Sequence, residues 1–211
     1  DKEIHFTCTP SGMKGDNLFV NSYLSPIDVT KIDAYDIVDP DNKLIRTFFL
    51  FNSGSWNDWN KGAGDITAAG YEQSSPGHYY SIPFFSSELI DDGTTQVVIP
   101  PMQGVYVYSA GETLLKLNYN KHVLGTTAKD MHNPMRAPQH KMEDDNFRRV
   151  RIHASSQNSG ADRMYIIQEK STTSGYDNGY DGDNILAANQ VNIYTHESFG
   201  QMEVSCSNQI D

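Results

Sequence analysis

The segment Arg149-Val150-Arg151-Ile152-His153-Ala154 alternates basic or imidazole side chains with apolar ones. An alternation of period two predicts a β-strand with one face on the core and the other in water, as in antiparallel sheets. Met202-Glu203-Val204-Ser205-Cys206 has the same kind of pattern near the end of the chain. We therefore expect these two strands to turn the following side chains inward: Val150, Ile152, Ala154, Met202, Val204 and Cys206.

The rest of the chain has further short runs rich in Val, Ile, Tyr, Phe and Thr, separated by clusters of Gly, Asn, Asp, Ser and Pro. Such runs predict strands, and the clusters predict turns. Apolar residues with helical spacing are nearly absent. The predicted strands cover residues 4–9, 34–38, 44–51, 96–100, 104–108, 113–119, 147–154, 163–169, 191–194 and 201–206.

Many short strands with turn-rich connections predict an all-β protein, an antiparallel β-sandwich that is jelly-roll-like and has long loops. The long loops are expected at 52–76 and 125–145, where polar and small residues dominate. A chain of 211 residues can bury a sizeable core without disulfides. We expect residues 1–211 to form a single β-sandwich module, and an internal division near 125–145 is the alternative.

The charge balance excludes several classes of partner. Lys and Arg number 16 and Asp and Glu number 27, so the formal net charge is −11. Nucleic acids and anionic membranes bind to basic surfaces, and neither is expected as a partner. No run approaches the roughly 20 apolar residues that span a bilayer, so we expect no membrane insertion.

The chain has two cysteines, Cys8 and Cys206, one near each end. They are either free thiols in the core or a disulfide that joins the first strand to the last. The sequence leaves both alternatives open.

Four motifs of the chain match segments of one known family. Ile99-Pro100-Pro101-Met102-Gln103-Gly104-Val105-Tyr106-Val107 is similar to the family segment I-P-P-M-Q-G-F-F-V. Three more landmarks follow the family's order, with Val20 and Ser22 in place of a Gly and a Pro: Asn17–Asn21 with Ser25–Asp28, Ser55–Trp59, and Tyr176–Asp183 before Asn192–Thr195. With these motifs the chain resembles the large β-sandwich modules of Bacteroidetes cell-surface, adhesin-like proteins that are often exported by the type IX secretion route. The resemblance implies a sandwich fold and an extracellular or cell-surface location after export, and it implies no reaction.

The segment Asp177-Asn178-Gly179-Tyr180-Asp181-Gly182-Asp183 is the candidate metal site. Closely spaced oxygen ligands in a Gly-rich turn are typical of Ca²⁺ sites, which predicts Asp177, Asn178, Asp181 and Asp183 as ligands. It is not an EF-hand, because Ala188 stands where that loop needs a bidentate Glu. The alternative is a tight turn in which Asp and Asn bind the backbone and Gly adopts positive φ.

A second candidate site lies in a polar, Gly-rich loop and consists of Trp56, Asn57, Asp58, Trp59 and Asn60. Flat aromatic rings beside amides and carboxylates suit a glycan, because the ring covers apolar C–H groups while the polar groups bind hydroxyls. Tryptophans are highly buried on average, so packing over the end of the sandwich is the alternative.

No catalytic motif accompanies these candidates: the chain has no H-E-x-x-H, no G-x-S-x-G, no P-loop and no dinucleotide fingerprint. We therefore expect a non-catalytic secreted or cell-surface binding or adhesion module, with an extracellular glycan or a host or surface protein as its partner. Two alternatives are an accessory or catalytic jelly roll acting on polysaccharide and a structural spacer domain.

Overall fold

The computed structural model describes residues 3–10, 15–52, 78–91, 97–123, 147–156, 161–186 and 191–209. Strands dominate and helices are few and short. The strands are β1 (Glu3–Cys8), β2 (Asp16–Val20), β3 (Ile27–Asp28), β4 (Ile37–Val38), β5 (Thr47–Asn52), β6 (His78–Pro83), β7 (Val98–Ile99), β8 (Gly104–Tyr108), β9 (Thr113–Asn118), β10 (Phe147–Ser155), β11 (Ala161–Glu169), β12 (Gly182–Asp183), β13 (Thr195–Glu197) and β14 (Gly200–Ser207). Helical turns are α1 (Ser87–Ile90), α2 (Tyr119–His122) and 3₁₀ helices at Val29–Lys31 and Ala34–Asp36. The all-β, mainly antiparallel class predicted from the sequence is confirmed and is consistent with a β-sandwich, while the jelly-roll arrangement stays a prediction.

Contacts group the chain into two compact units that alternate along the sequence. Unit 1 consists of Asp1–Phe49, Ile82–Asp145 and Asn178–Tyr180. Unit 2 consists of Leu50–Ser81, Asn146–Asp177 and Asp181–Asp211. The units interleave, so neither corresponds to one continuous stretch of sequence.

Unit 1 contains a three-stranded sheet of order β1-β9-β4 and the pair β3-β7. Strand β9 is central: it pairs antiparallel with β1 and with β4, and Leu115 lies opposite both Phe6 and Ile37. A further sheet has the order β2-β8-β5-β6, and β5 and β6 each have residues in both units. Alternate residues of β8 and β9 are buried and line the core of unit 1: Val105, Val107, Leu115 and Leu117.

Unit 2 contains the sheet β10-β11-β14-β12, in which β13 also pairs with β14. Its core is formed chiefly by Tyr165 and Ile167 of β11 with Met202, Val204 and Cys206 of β14. The inward orientation predicted for Met202, Val204 and Cys206 is therefore confirmed, whereas the face predicted to lie in water is wrong, because Glu203 and Ser205 are buried as well. Strands β11 and β14 pair in parallel, unlike the antiparallel pairing expected throughout. The connection between them, residues 170–199, is long enough for the crossover that parallel pairing needs.

The strand predicted at 34–38 is wrong in part because local hydrogen bonds compete with pairing. Residues 34–36 form a 3₁₀ helix, capped by Asp33 at its start, and only Ile37–Val38 is strand. The Asp33 side chain accepts a hydrogen bond from Tyr35 N, and the Asp36 side chain accepts one from Asp33 N. The arrangement is a capping box. The strand predicted at 191–194 is also wrong, because pairing with β14 begins at Thr195.

The segment 149–154 is a strand, but its predicted inward face is wrong. Val150 is 53% exposed and Ile152 is 37% exposed, and Ala154 is half-buried. Strand β10 pairs with β11 and is the last strand of its sheet within the described residues. Alternation predicts which side chains share a face, and whether that face is covered depends on the position of the strand in the sheet.

Both cysteines are free and buried, so the structure realises the free-thiol alternative. Burial raises the pKa of the Cys8 thiol above its ordinary value, and a hydrogen bond with Thr113 opposes the shift. The cysteines therefore act as small apolar core residues.

Removing the Leu115 side chain should open a cavity at the centre of the β1-β9-β4 sheet. Leu115 is fully buried, so Leu115→Ala should lower the free energy of unfolding by about 2–5 kcal/mol. Leu24 is 92% exposed, and Leu24→Ala should change it by less than about 0.5 kcal/mol. Chemical denaturation of both variants measures the difference, and equal stabilities would contradict a core packed around β9.

Candidate functional site

Two carboxylates of the predicted calcium-binding turn, those of Asp177 and Asp181, accept hydrogen bonds from backbone amides. Asp181 is fully buried, and its Oδ1 accepts from Cys206 N at 2.7 Å while its Oδ2 accepts from Asp177 N at 2.7 Å. Asp177 Oδ2 accepts from Thr173 N at 2.6 Å and from its hydroxyl at 3.0 Å. Burial raises the pKa of Asp181 to about 6, although the two backbone donors favour the charged form.

Of the other two predicted ligands, Asn178 binds the backbone through its side chain, whereas Asp183 accepts a hydrogen bond through its backbone carbonyl. Asn178, in unit 1, accepts from Arg46 N at 2.8 Å and donates to the Leu44 carbonyl at 2.7 Å. The carbonyl of Asp183, in unit 2, accepts from the Ser81 hydroxyl, and burial raises the pKa of its side chain. Where the structure describes the chain, no group of three or more His, Cys, Asp or Glu residues is arranged to hold a metal. These contacts match the capping alternative, and calcium binding stays a prediction.

The predicted glycan site cannot be placed. Trp56, Asn57, Asp58, Trp59 and Asn60 all lie outside the described residues. Their role therefore stays a prediction from the sequence.

Unit 1 has an open groove of about 350 Å³ that the sequence reasoning missed. Its floor is apolar and aromatic and its rim is polar and acidic. Ile32 and Phe84 are buried in the floor, and the rings of Phe85 and Tyr180 are half-buried. The groove is lined by Thr30, Ile32, Asp33, Ala34, Phe84, Phe85, Ser87, Glu88 and Tyr180.

Hydrogen bonds on two sides hold the groove segment 84–86 in place. Phe84 N donates to the Arg46 carbonyl at 2.9 Å, and Phe85 N donates to the Gly179 carbonyl at 2.8 Å. The Ser86 hydroxyl donates to the Tyr180 carbonyl at 2.7 Å. The Phe85 and Tyr180 rings meet edge to face, with centroids 5.8 Å apart. The turn of the Tyr176–Asp183 landmark therefore positions one wall of the groove.

The rim of the groove presents hydrogen-bond acceptors. Lys121 Nζ lies 2.8 Å from Asp33 Oδ2, and this contact lowers the pKa of Asp33 and keeps it charged. Glu88 is exposed at the start of α1. The Ser87 and Thr30 hydroxyls already donate to Phe84 O and Asp28 Oδ1, so each retains acceptor capacity toward a ligand. Sequence patterns gave no signal for this site because its members come from three separate segments, 30–34, 84–88 and Tyr180.

A buried charged pair lies in the core of unit 2. Glu203 is 1% exposed, and its Oε2 accepts from Ser81 N at 2.8 Å. Its Oε1 lies 3.9 Å from Arg163 Nε, and neither of these two atoms has a hydrogen bond. The Arg163 guanidinium lies 4.0 Å from the centroid of the Tyr80 ring. Burial raises the pKa of Glu203 to about 8, against the opposing charge of Arg163.

Gly179 should be required for the turn beside the groove. It has φ +98°, and an added Cβ would lie 2.6 Å from Phe85 Cδ2. Gly179→Ala should therefore lower the free energy of unfolding by roughly 1–3 kcal/mol. At Gly175 a Cβ would meet only Thr173 Oγ1, at 3.6 Å, so Gly175→Ala should change stability by less than about 0.5 kcal/mol. Thermal or chemical unfolding of the two variants compares them, and equal effects would refute the requirement.

The buried carboxyls should make stability depend on pH. A group whose pKa is raised by folding stabilises the fold below its unfolded pKa and loses that contribution as pH rises through the folded value. We therefore expect the free energy of unfolding to fall between about pH 4.5 and 8 for Glu203 and between about 3.8 and 6 for Asp181.

Glu203→Gln removes one of these titrating groups, so the decline between pH 6 and 8 should flatten and the decline between about pH 4.5 and 6 should become shallower, while the contribution of Asp181 below pH 6 remains. Glu112→Gln, at an exposed position, is the matched control and should keep the whole profile. Denaturation across this pH range measures the slope, and an unchanged slope in Glu203→Gln would contradict the assignment.

Comparisons with known proteins agree with the resemblance at a coarse level. The chain is similar to the minor fimbrium subunit Mfa5 of Porphyromonas gingivalis, with 26% identity over 192 residues, which cover 88% of this chain and 14% of that protein. No family model matches the chain, and no solved structure matches it significantly. In the described part of the chain, no helix is long and apolar enough to cross a membrane. A fimbrial subunit of this bacterium fits the expected Bacteroidetes surface module, and export by the type IX route stays a prediction.

Proposed function

We propose that this chain is a non-catalytic adhesion module of an exported Bacteroidetes cell-surface protein. The observation that carries the proposal is its similarity, over 88% of its length, to a minor fimbrium subunit. A fimbrium subunit is by its name part of a surface appendage, and the all-β fold and the net charge of −11 suit such a place. Because the match spans only 14% of that relative, the role of the whole relative is not transferred.

The groove of unit 1 is the proposed ligand site, and its ligand is a glycan. Its rim offers carboxylate and hydroxyl oxygens as acceptors, which pair with sugar hydroxyl donors. Its half-buried aromatic rings, Phe85 and Tyr180, offer apolar surface to the C–H groups of a sugar ring. The volume of about 350 Å³ lies at the lower end of ligand pockets and fits a small number of sugar rings.

The sign of the rim charge selects among glycans. Asp33 is held in its charged form, and Glu88 is a second carboxylate on the same rim. Lys121 offsets the charge of Asp33, but a sialic or uronic acid would still bring a further carboxylate beside Glu88, so neutral and amino sugars are the favoured class. A local acidic rim is therefore a specificity element as well as a source of hydrogen bonds.

A glycan array tests this proposal, run once with calcium and once with chelator. We expect binding to neutral or amino sugars and little binding to acidic ones. Glu88→Gln and Tyr180→Ala should each weaken binding by about tenfold or more, which corresponds to loss of one or two good contacts. The controls are Glu112→Gln and Tyr35→Ala, at exposed positions outside the groove, and they should bind as the parent does.

Each other outcome argues against one part of the proposal. Binding that survives both groove variants would refute the groove and direct the search to the Trp56–Asn60 loop. Binding that requires calcium would assign a role to the Asp177–Asp183 turn. No binding in either condition would refute the glycan assignment and favour a protein partner or a spacer.

A further inference from the structure

A network of charged groups in unit 1 connects the rim of the groove with α2. Its centre is the Oδ2 atom of Asp36, which accepts from Asp33 N at 2.9 Å and from Lys121 Nζ at 2.6 Å. His122 Nε2 lies 3.1 Å from the same oxygen. Lys121 Nζ also donates to Asp33 Oδ2 at 2.8 Å. One ammonium group is therefore shared between two carboxylates, and one of these, Asp33, lines the groove.

The imidazole of His122 is fully buried and has a hydrogen-bond partner on each side. Its Nδ1 lies 2.8 Å from Asn118 N, a group that can only donate, so Nδ1 is the acceptor and carries no proton. The proton of the neutral ring is then on Nε2, which donates it to Asp36 Oδ2. These contacts assign the neutral form and one tautomer to the ring.

A second proton on His122 has a place to bind. It would occupy Nδ1, which would release the Asn118 amide and donate to the Asn118 carbonyl oxygen, 3.1 Å away. The imidazolium would then be a second cation on Asp36 Oδ2, beside Lys121. Because like charges repel, Lys121, whose side chain is 38% exposed, would move wholly to Asp33, whereas the buried ring stays in place.

Other elements around His122 carry ionisable groups that point elsewhere. Helix α2 packs against β9 and the 3₁₀ helix Val29–Lys31. The ionisable side chains on or next to these elements are Asp28, Lys31, Lys116 and Tyr119. Lys31 is exposed, and Lys116 lies on the face of β9 opposite to its buried leucines. Asp28 Oδ1 accepts from Thr30 N at 3.0 Å, and the Tyr119 ring meets the ring of Tyr23. Asp36 is the ionisable group in contact with the imidazole.

The partners of the shared ammonium keep their charges while histidine titrates. Burial lowers the pKa of Lys121, but its hydrogen bonds with Asp33 and Asp36 outweigh burial and raise the pKa above its ordinary value. The hydrogen bond from Lys121 lowers the pKa of Asp33. His122 is therefore the group of this network that changes charge between about pH 5 and 8.

We propose that His122 sets the charge of the groove rim and thereby makes the selectivity of the groove between neutral and acidic sugars depend on pH. This role rests on the groove being the glycan site of the proposed function. While His122 is neutral, Asp33 and Asp36 share the single cation Lys121, which leaves one negative charge on the network. Once His122 is protonated, each carboxylate has its own cation. The carboxylate of an acidic sugar is then repelled less.

Nuclear magnetic resonance of the ligand-free protein tests the switch by itself. Imidazole spectra should show His122 neutral with its proton on Nε2 at about pH 8 and doubly protonated at about pH 5. The amide signals of Asn118 and Asp33 should shift with the same midpoint, because Asn118 N loses its acceptor and Asp33 N shares Asp36 Oδ2 with the imidazole. A ring that keeps one state over this range, or amides that do not follow it, would overturn the proposal.

Glucose and glucuronic acid are matched probes of the selectivity, because they differ in a single group, a hydroxymethyl or an ionised carboxylate. The ratio of the Kd of glucuronic acid to the Kd of glucose should fall by about threefold to tenfold from pH 8 to pH 5, as expected for one charge near a protein surface. Added salt should reduce this change, because it screens the charges. A ratio that is the same at both pH values would contradict the proposed role of His122.

Variants identify the titrating group. His122→Gln keeps a donor for Asp36 and cannot titrate, so the ratio should no longer depend on pH. His196→Gln, at an exposed position of unit 2, is the matched control and should respond as the parent does. Glu203→Gln, which removes a titrating group of unit 2, should also respond as the parent does. Lys121→Gln removes the shared cation at an exposed position, so it should raise the ratio several-fold at both pH values and keep the response, and it carries the test if His122→Gln does not fold.

The ligand-free and sugar-binding measurements separate this switch from the glycan assignment. If neither sugar binds while the Asp33 amide titrates together with His122, the glycan ligand is refuted and the charge switch at the rim stands. If the sugars bind and the ratio still changes with pH in His122→Gln, another group titrates and the role of His122 is refuted.

Discussion

Buried backbone groups outside regular pairing must find hydrogen-bond partners, and in this chain side-chain amides and carboxylates supply many of them. In unit 1, Asn21 is 2% exposed and donates to the carbonyls of Ser25 and Ile99 at 3.0 and 2.9 Å. In unit 2, Asp181 accepts from two backbone amides. Each orphaned group would destabilise the fold by about 1–3 kcal/mol, so a chain with short strands and many turns depends on these side chains.

This constraint explains why the family landmarks cluster at turns. The Asn21 side chain binds the carbonyls of Ser25 and Ile99, so it connects the Asn17–Asn21 landmark with the Ile99–Val107 landmark. In the same way, Asn178 connects the Tyr176–Asp183 landmark with residues 44 and 46. These side chains form hydrogen bonds with backbone groups of the turns, so the landmarks reflect the fold. A match at 26% identity is therefore compatible with the same turns surrounding different binding surfaces.

The sequence predicted strands well where alternation and burial coincide. Strand β8 begins and ends at the expected residues and buries every second one. Strand β14 buries Met202, Val204 and Cys206 as expected, but Glu203 and Ser205, expected on the face toward water, are buried too. Prediction was wrong where the outcome depends on neighbours distant in sequence, as for the exposed Val150 and Ile152 and the parallel β11–β14 pair. The groove was beyond reach for the same reason, because Asp33, Phe85 and Tyr180 meet only in the folded unit.

The net charge of −11 conceals local charges of opposite sign. The groove of unit 1 has an acidic rim, whereas β10 of unit 2 has arginines at three of its nine positions. Exposed β-branched residues on a long edge would ordinarily promote self-pairing, and the arginines oppose it because identical strands repel each other. Charged residues on an edge strand are a common defence against self-pairing, which gives a physical reason for Val150 and Ile152 to stand exposed beside the arginines.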